Sequence, residues 1–162
     1  MPKLYILDID GTLVVTKSGG TFRKSADDWQ WLPGRLEKCK ALRADGALFA
    51  IATNQAGVAF PWSKFTEAEM QAEIEKVARE IDAGFVAVCY TTPNEKALFA
   101  YYNPNDLRRK PGPAMLLEAM TFYQDQIDPG EVVMIGDRVE DRDAAEAASV
   151  AFIAADIFFD LE

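Results

Sequence analysis

Residues 3–13 read KLYILDIDGTL, and no other stretch restricts the fold as much. The apolar, β-prone run Leu4 to Leu7 leads into Asp8 and Asp10, one residue apart, and then at once into Gly11 and Thr12. A short apolar run closed by polar residues is expected to be a buried strand that delivers acid groups at its end. Two carboxylates so close repel each other unless a cation, a proton or a ring of hydrogen-bond donors compensates them. The rest of the chain has to supply that compensation.

Four more apolar runs follow: Ala47 to Ala52, Phe85 to Tyr90, Val132 to Ile135 and Val150 to Ile153. Helical stretches separate them. One enters at Pro33-Gly34 and runs to about Ala44, and a second opens on a capping box of Thr66 and Glu69 and runs to about Asp82. A third follows Lys110-Pro111-Gly112-Pro113 with Met115, Leu116, Ala119 and Met120 on a core face, and a fourth spans Glu140 to Ala148. Strands alternating with helices imply an α/β fold, a Rossmann-like parallel sheet with right-handed crossovers and helices on both faces.

Between the first strand and the first helix, Val14 to Thr16 and Thr21 to Arg23 flank a turn-prone Lys17-Ser18-Gly19-Gly20, the pattern of a small β-hairpin. The flap spans about residues 14–32, and no large cap domain is present. Thr91 to Arg109 is irregular and rich in Asn, Pro and Tyr. At 162 residues without an interdomain linker, the whole chain, 1–162, is expected to form a single domain with its own core.

The chain has no histidine, so acid and base work falls to carboxylates and the usual neutral zinc ligand is missing. With 26 acidic residues against 17 basic and a formal charge of −9, no global field draws it to nucleic acid or anionic membrane. A polyanionic substrate must be held locally. Cys39 and Cys89 are far apart and each lies inside a helix or strand, which fits reduced core thiols. No apolar run approaches the ~18 residues that cross a bilayer, and Met1-Pro2-Lys3 runs straight into a strand, so a cytoplasmic location is expected. Nothing calls for an obligate protein partner.

Ligands of an open parallel sheet bind outside the carboxyl ends of its strands. Here those ends carry Asp8 with Asp10, Thr53 with Asn54, and Asp137 with Asp141, while Lys110 opens a helix. Each is ordinary alone. Asp-x-Asp after a strand is often a turn, Thr53 fits a cap, Lys110 fits a solvated side chain, and Asp137 and Asp141 fit the acidic start of a helix. Their joint order is what resembles a family. Asp8-Ile9-Asp10-Gly11-Thr12-Leu13, Thr53, Lys110 and Gly136-Asp137-x-x-x-Asp141 are similar to the four motifs of the haloacid dehalogenase-like phosphohydrolases. The short flap and Thr53-Asn54-Gln55 resemble the small-cap branch that contains histidinol-phosphate, heptose-bisphosphate and polynucleotide 3′-phosphatases.

The resemblance implies a role for each position. Asp8 is the implied nucleophile, forming an aspartyl-phosphate. Asp10 is the implied general acid and base. The implied cofactor is Mg2+, held by the Asp8 side chain, the Asp10 backbone carbonyl, Asp137 and Asp141, directly or through water. Thr53, Asn54 and the adjoining amides are implied phosphoryl-binding groups, and Lys110 neutralises the phosphoryl group and Asp8.

The implied substrate is a phosphomonoester. Thr16 to Phe22 with Asp28-Trp29 is similar to the flap of polynucleotide 3′-phosphatases, which points toward a 3′-phosphorylated nucleic-acid end. Gly136 to Asp141 is more similar to the sugar-phosphate and histidinol-phosphate members, so a small phosphorylated metabolite is the alternative. The Cys and His zinc loop of many of those members is absent. Lys17, Arg23, Lys24, Arg108, Arg109, Arg138 and Arg142 form either a local basic rim, with Arg138 a substrate contact, or scattered surface charge. Phe22, Trp29, Trp31 and Trp62 either stack a base, at about 1 to 3 kcal/mol each, or pack the flap. A non-catalytic binding subunit that keeps the fold is a further alternative, opposed by the intact acid, threonine and lysine set.

Overall fold

The computed structural model describes residues 1–160; the last two residues of the expected 1–162 domain lie outside it. Its centre is a five-stranded parallel sheet. The strands are β1 (Leu4–Leu7), β4 (Leu48–Asn54), β5 (Phe85–Cys89), β6 (Val132–Gly136) and β7 (Ala151–Ala154), in the order β5-β4-β1-β6-β7. The chain moves outward from β1 through β4 to β5, then crosses back to place β6 on the other side of β1. Strand order therefore reverses at β1, and a crevice opens beyond its carboxyl end.

The side chains of β1, β4 and β6 alternate cleanly between two apolar layers. Leu4, Ile6, Ala50, Ala52, Val132 and Met134 face one layer, which is closed by Met115, Leu116 and Ala119 of α3 (Ala114–Phe122) and Ala144 and Ala145 of α4 (Val139–Ala147). Tyr5, Leu7, Phe49, Ile51, Val133 and Ile135 face the other. That layer is closed by Cys39 of α1 (Arg35–Ala44), Met70, Ile74 and Val77 of α2 (Glu67–Glu80), and Phe158 of α5 (Ala155–Asp160). Burial on both faces is why these strands read as unbroken apolar runs. The Thr66 and Glu69 capping box is present at the start of α2. Both cysteines are buried free thiols, and burial pushes the Cys39 thiol up to about 12.

The flap departs from its expected pairing. β2 (Val14–Val15) pairs antiparallel with β3 (Gln30–Trp31), while residues 21–23 form no strand. The cause is Asp28, whose buried carboxylate accepts from the Ser18 amide at 2.9 Å, the Ser18 hydroxyl at 2.6 Å and the Lys24 amide at 2.9 Å. It gathers the tip of the flap into a compact loop. Trp29 and Trp31 meet edge to face at 5.8 Å, and the Trp29 indole donates to Glu73 of α2 at 3.2 Å, so these two rings seat the flap on the body. No helix among the described residues is long and apolar enough to cross a membrane.

Candidate active site

Asp8 leaves β1 where its amide still donates to Ile135 on β6, at 3.1 Å. The chain then turns sharply: the amides of Thr12, Leu13 and Val14 all donate to the Ile9 carbonyl. Gly11 makes the turn possible. Its φ is +81°, and a Cβ there would collide with the Asp137 carboxylate. Gly136 is equally confined, since a Cβ on it would strike Asp141. Two glycines thus let the acids of β1 and β6 draw together.

Carboxylate oxygens of Asp8, Asp137 and Asp141 lie within 4.8 Å of one another. A single buried ammonium meets this cluster. Lys110 Nζ lies 3.2 Å from Asp8 Oδ1, 2.5 Å from Asp141 Oδ1 and 2.8 Å from the Ala52 carbonyl oxygen, which uses all three of its N–H donors. Asp141 is held from its other oxygen by the Arg138 amide at 3.1 Å. It is no mere helix-start acid, since it is almost wholly buried on Lys110.

Burial pushes Asp8 up to about 7, with Asp141 and Asp10 adding to the rise and Lys110 working against it. Burial and Asp141 likewise raise Asp137. Burial disfavours the Lys110 ammonium, but Asp8 and Asp141 outweigh it and the lysine is raised. Three carboxylates against one ammonium leave negative charge that a hard cation with oxygen ligands would offset. The donor set fits Mg2+, with Asp8, Asp137 and Asp141 supplying side-chain oxygens.

The Asp10 carboxylate stands outside that cluster. Its Oδ1 pairs with Arg23 of the flap at 2.8 Å, and its Oδ2 accepts from Gln55 Nε2 at 2.8 Å. The metal role foreseen for Asp10 involved only its backbone carbonyl, and the side chain leaves that role open. Thr53 is buried, and its hydroxyl accepts from Gln55 at 3.0 Å; unlike Asn54 and Gln55, it does not line the cleft. Asn54 clasps the Lys110 backbone from both sides, accepting from its N–H at 3.0 Å and donating to its carbonyl at 2.9 Å. Its amide fixes the lysine instead of pointing free at substrate. Arg138 is exposed and lines the cleft.

Sequence reasoning gave no separate role to Gln55 or Thr12. Gln55 bridges Asp10 and Thr53, and the Thr12 hydroxyl donates to Asp137 at 3.3 Å. Both residues sit inside the motifs, but only the fold shows which acid each one faces.

Asp8, Asp10, Asn54, Gln55, Lys110, Asp137 and Asp141 line one cleft of about 1110 Å³ between the flap and the strand ends. Of the basic residues considered for a rim, Arg23, Lys24, Arg109 and Arg138 line it, joined by Lys64. Arg108 is taken by Glu118 and the Val88 carbonyl, Arg142 pairs with neighbouring Asp143, and Lys17 is exposed outside the cleft lining. Of the aromatics, Phe22 and Trp62 border the cleft, with Trp62 stacked on Phe60 at 4.8 Å.

Known proteins resemble this chain in sequence and in fold. The sequence profile described as polynucleotide kinase 3 phosphatase matches residues 3–162. The D-glycero-beta-D-manno-heptose-1,7-bisphosphate 7-phosphatase of Pasteurella multocida is 31% identical over 153 residues, which are 93% of this chain and 79% of that protein. The protein of the same name from Escherichia coli K12 is 31% identical over 155 residues, covering 93% and 76%. Among solved structures, the D,D-heptose 1.7-bisphosphate phosphatase of B. bronchiseptica, complexed with magnesium and phosphate, superposes with a TM-score of 0.72. It is 28% identical over 93% of this chain and 78% of that one. A HAD-superfamily hydrolase from Geobacter sulfurreducens, 18% identical with a TM-score of 0.60 over 95% and 89%, shares the fold. The non-catalytic alternative gives way, and the chain belongs to the polynucleotide kinase 3 phosphatase family, a small-cap branch of the haloacid dehalogenase-like phosphatases.

Proposed function

We propose that the chain is a Mg2+-dependent phosphomonoesterase for a small phosphorylated metabolite of the sugar-phosphate type, working through an aspartyl-phosphate on Asp8. The observation that carries the chemistry is Asp8 itself, buried at the cleft floor between the Lys110 ammonium and the Asp137 and Asp141 carboxylates. A bound Mg2+ would be held by Asp8, Asp137 and Asp141 and would supply positive charge that favours ionised Asp8 and offsets the phosphoryl group.

A carboxylate oxygen of Asp8 attacks phosphorus as the bond to the leaving oxygen breaks, and Asp10 gives that oxygen a proton. Asp10 then takes a proton from water as the water attacks the phosphoryl group, returning Asp8 and releasing phosphate. Lys110 offsets the charge that builds on the phosphoryl oxygens. Basic side chains at the cleft edge, Arg109 and Arg138 among them, are placed to hold the remainder of an anionic substrate.

The flap's likeness to polynucleotide 3′-phosphatases favoured a nucleic-acid end. Similarity to heptose-bisphosphate phosphatases over 93% of the chain supports the metabolite instead, as does the seating of Trp29 and Trp31 against the body. One observation favours the nucleic-acid end: the stacked Phe60 and Trp62 on the cleft wall, with Trp62 62% exposed, offer a face on which a base could lie. Phosphate release from a panel of sugar mono- and bisphosphates, run beside a 3′-phosphorylated oligonucleotide, separates the two. Preferential turnover of sugar phosphates is expected; hydrolysis of the oligonucleotide with the sugars untouched would reverse the assignment.

A further inference from the structure

Arg23 is a flap residue whose guanidinium reaches the Asp10 carboxylate, and neither the motifs nor the metal cluster uses it. Its side chain is 6% exposed, although the flap around it has only two-residue strands and an exposed tip. A guanidinium is withdrawn from water at a cost and needs partners. Arg23 finds them in two directions. Nε and Nη2 both donate to Asp10 Oδ1, at 3.3 and 2.8 Å, and Nη1 donates to the Ala26 carbonyl at 2.9 Å. The second contact ties the arginine to its own loop, so the first ties the loop to Asp10.

Asp10 is therefore held from two elements at once. Oδ1 takes two N–H groups from the flap, whereas Oδ2 takes one, from Gln55 at the end of β4. A carboxylate has about two lone-pair sites on each oxygen. Both sites on Oδ1 are filled, and one remains on Oδ2.

We propose that Arg23 is a positioning residue for the acid–base step: it occupies Oδ1, fixes the plane of the Asp10 carboxylate, and leaves Oδ2 as the oxygen that passes the proton. The inference rests on the reading of Asp10 as acid and base. In the first step a proton on Oδ2 moves to the leaving oxygen as its bond to phosphorus breaks. In the second, Oδ2 takes a proton from the attacking water. Arg23 exchanges no proton in either step, and it makes acid–base competence depend on the flap being seated.

The test compares kcat/KM for an alkyl phosphate, whose leaving alkoxide needs a proton, with p-nitrophenyl phosphate, whose leaving phenolate does not. Arg23→Ala is expected to lower the alkyl value by about 10- to 100-fold, within the usual contribution of general acid catalysis, and the aryl value by less than about 3-fold. The loss is expected to fall on kcat rather than KM. Arg23→Lys, which keeps the charge but loses the planar fork, should recover part of the alkyl rate. On an Asp10→Asn background Arg23→Ala should cost little more, because it acts through Asp10. Equal losses on both substrates, or no loss on either, would overturn the proposal, and if Arg23→Ala fails to fold, the same comparison with Arg23→Lys decides. Asp10→Asn at wild-type rate on the alkyl substrate would instead remove the acid–base reading beneath it.

Discussion

Lys110 Nζ lies 3.2 Å from Asp8 Oδ1, and the two side chains are only 2% and 9% exposed. A buried charge of either sign is tolerated here because the other is present. The same ammonium holds Asp141, so one lysine joins the strand that leads to the proposed nucleophile to the helix that carries a metal-ligand candidate. Removing one partner of a buried pair costs about 3 to 5 kcal/mol, because the remaining charge has nowhere to turn. Lys110→Met is expected to lower unfolding stability in EDTA by that amount and to abolish turnover. Chemical denaturation measures the first, and an unchanged midpoint would contradict it.

Gly11 controls the distance between the two acidic strand ends. Its φ of +81° and its contact with Asp137 leave no room for a Cβ. Gly11→Ala should push Asp137 aside and raise the Mg2+ concentration for half-maximal activity by about 10- to 100-fold, the range seen when support for a metal ligand is lost. Chelation should silence the wild type reversibly. A Mg2+ titration superimposable on the wild-type curve would count against the role given to Asp137.

Asp28 gives the flap a pH dependence. The Ser18 hydroxyl and the Lys24 amide pull its carboxyl down to about 2, from an ordinary value of about 3.9. Between those values the folded state binds fewer protons than the unfolded one, so stability rises with pH. The contribution is complete above about pH 4 and is lost as pH falls through about 2. Asp28→Asn should therefore be less stable than wild type at neutral pH, with the gap shrinking across that window. Denaturation series at several pH values test this, and a gap independent of pH would refute it.

The strands were legible because a parallel sheet covered on both faces demands unbroken apolar runs, and Leu4 to Leu7 and Val132 to Ile135 answer that demand. Asp8, Asp137, Asp141 and Lys110 were legible as a set, and the topology brings all four together. The flap was not. Thr21 to Arg23 has β propensity, but the Asp28 carboxylate captures Ser18 and Lys24, and Arg23 turns inward to Asp10. Propensity describes a residue's neighbours in sequence, whereas these contacts depend on where β1 ends. Thr53 and Asn54 carried the same ambiguity, since nothing local shows that Asn54 closes on the Lys110 backbone.

Asp8 is the group proposed to take the phosphoryl, and its covalent capture is the most direct test. Rapid acid quenching during turnover, borohydride reduction and peptide mass spectrometry should find Asp8 converted to homoserine, the mark of an acyl phosphate at that side chain. Asp8→Asn should fold normally, show no such conversion and lose about 10⁴-fold or more in kcat. Homoserine at another position, or turnover near the wild-type rate in Asp8→Asn, would contradict it.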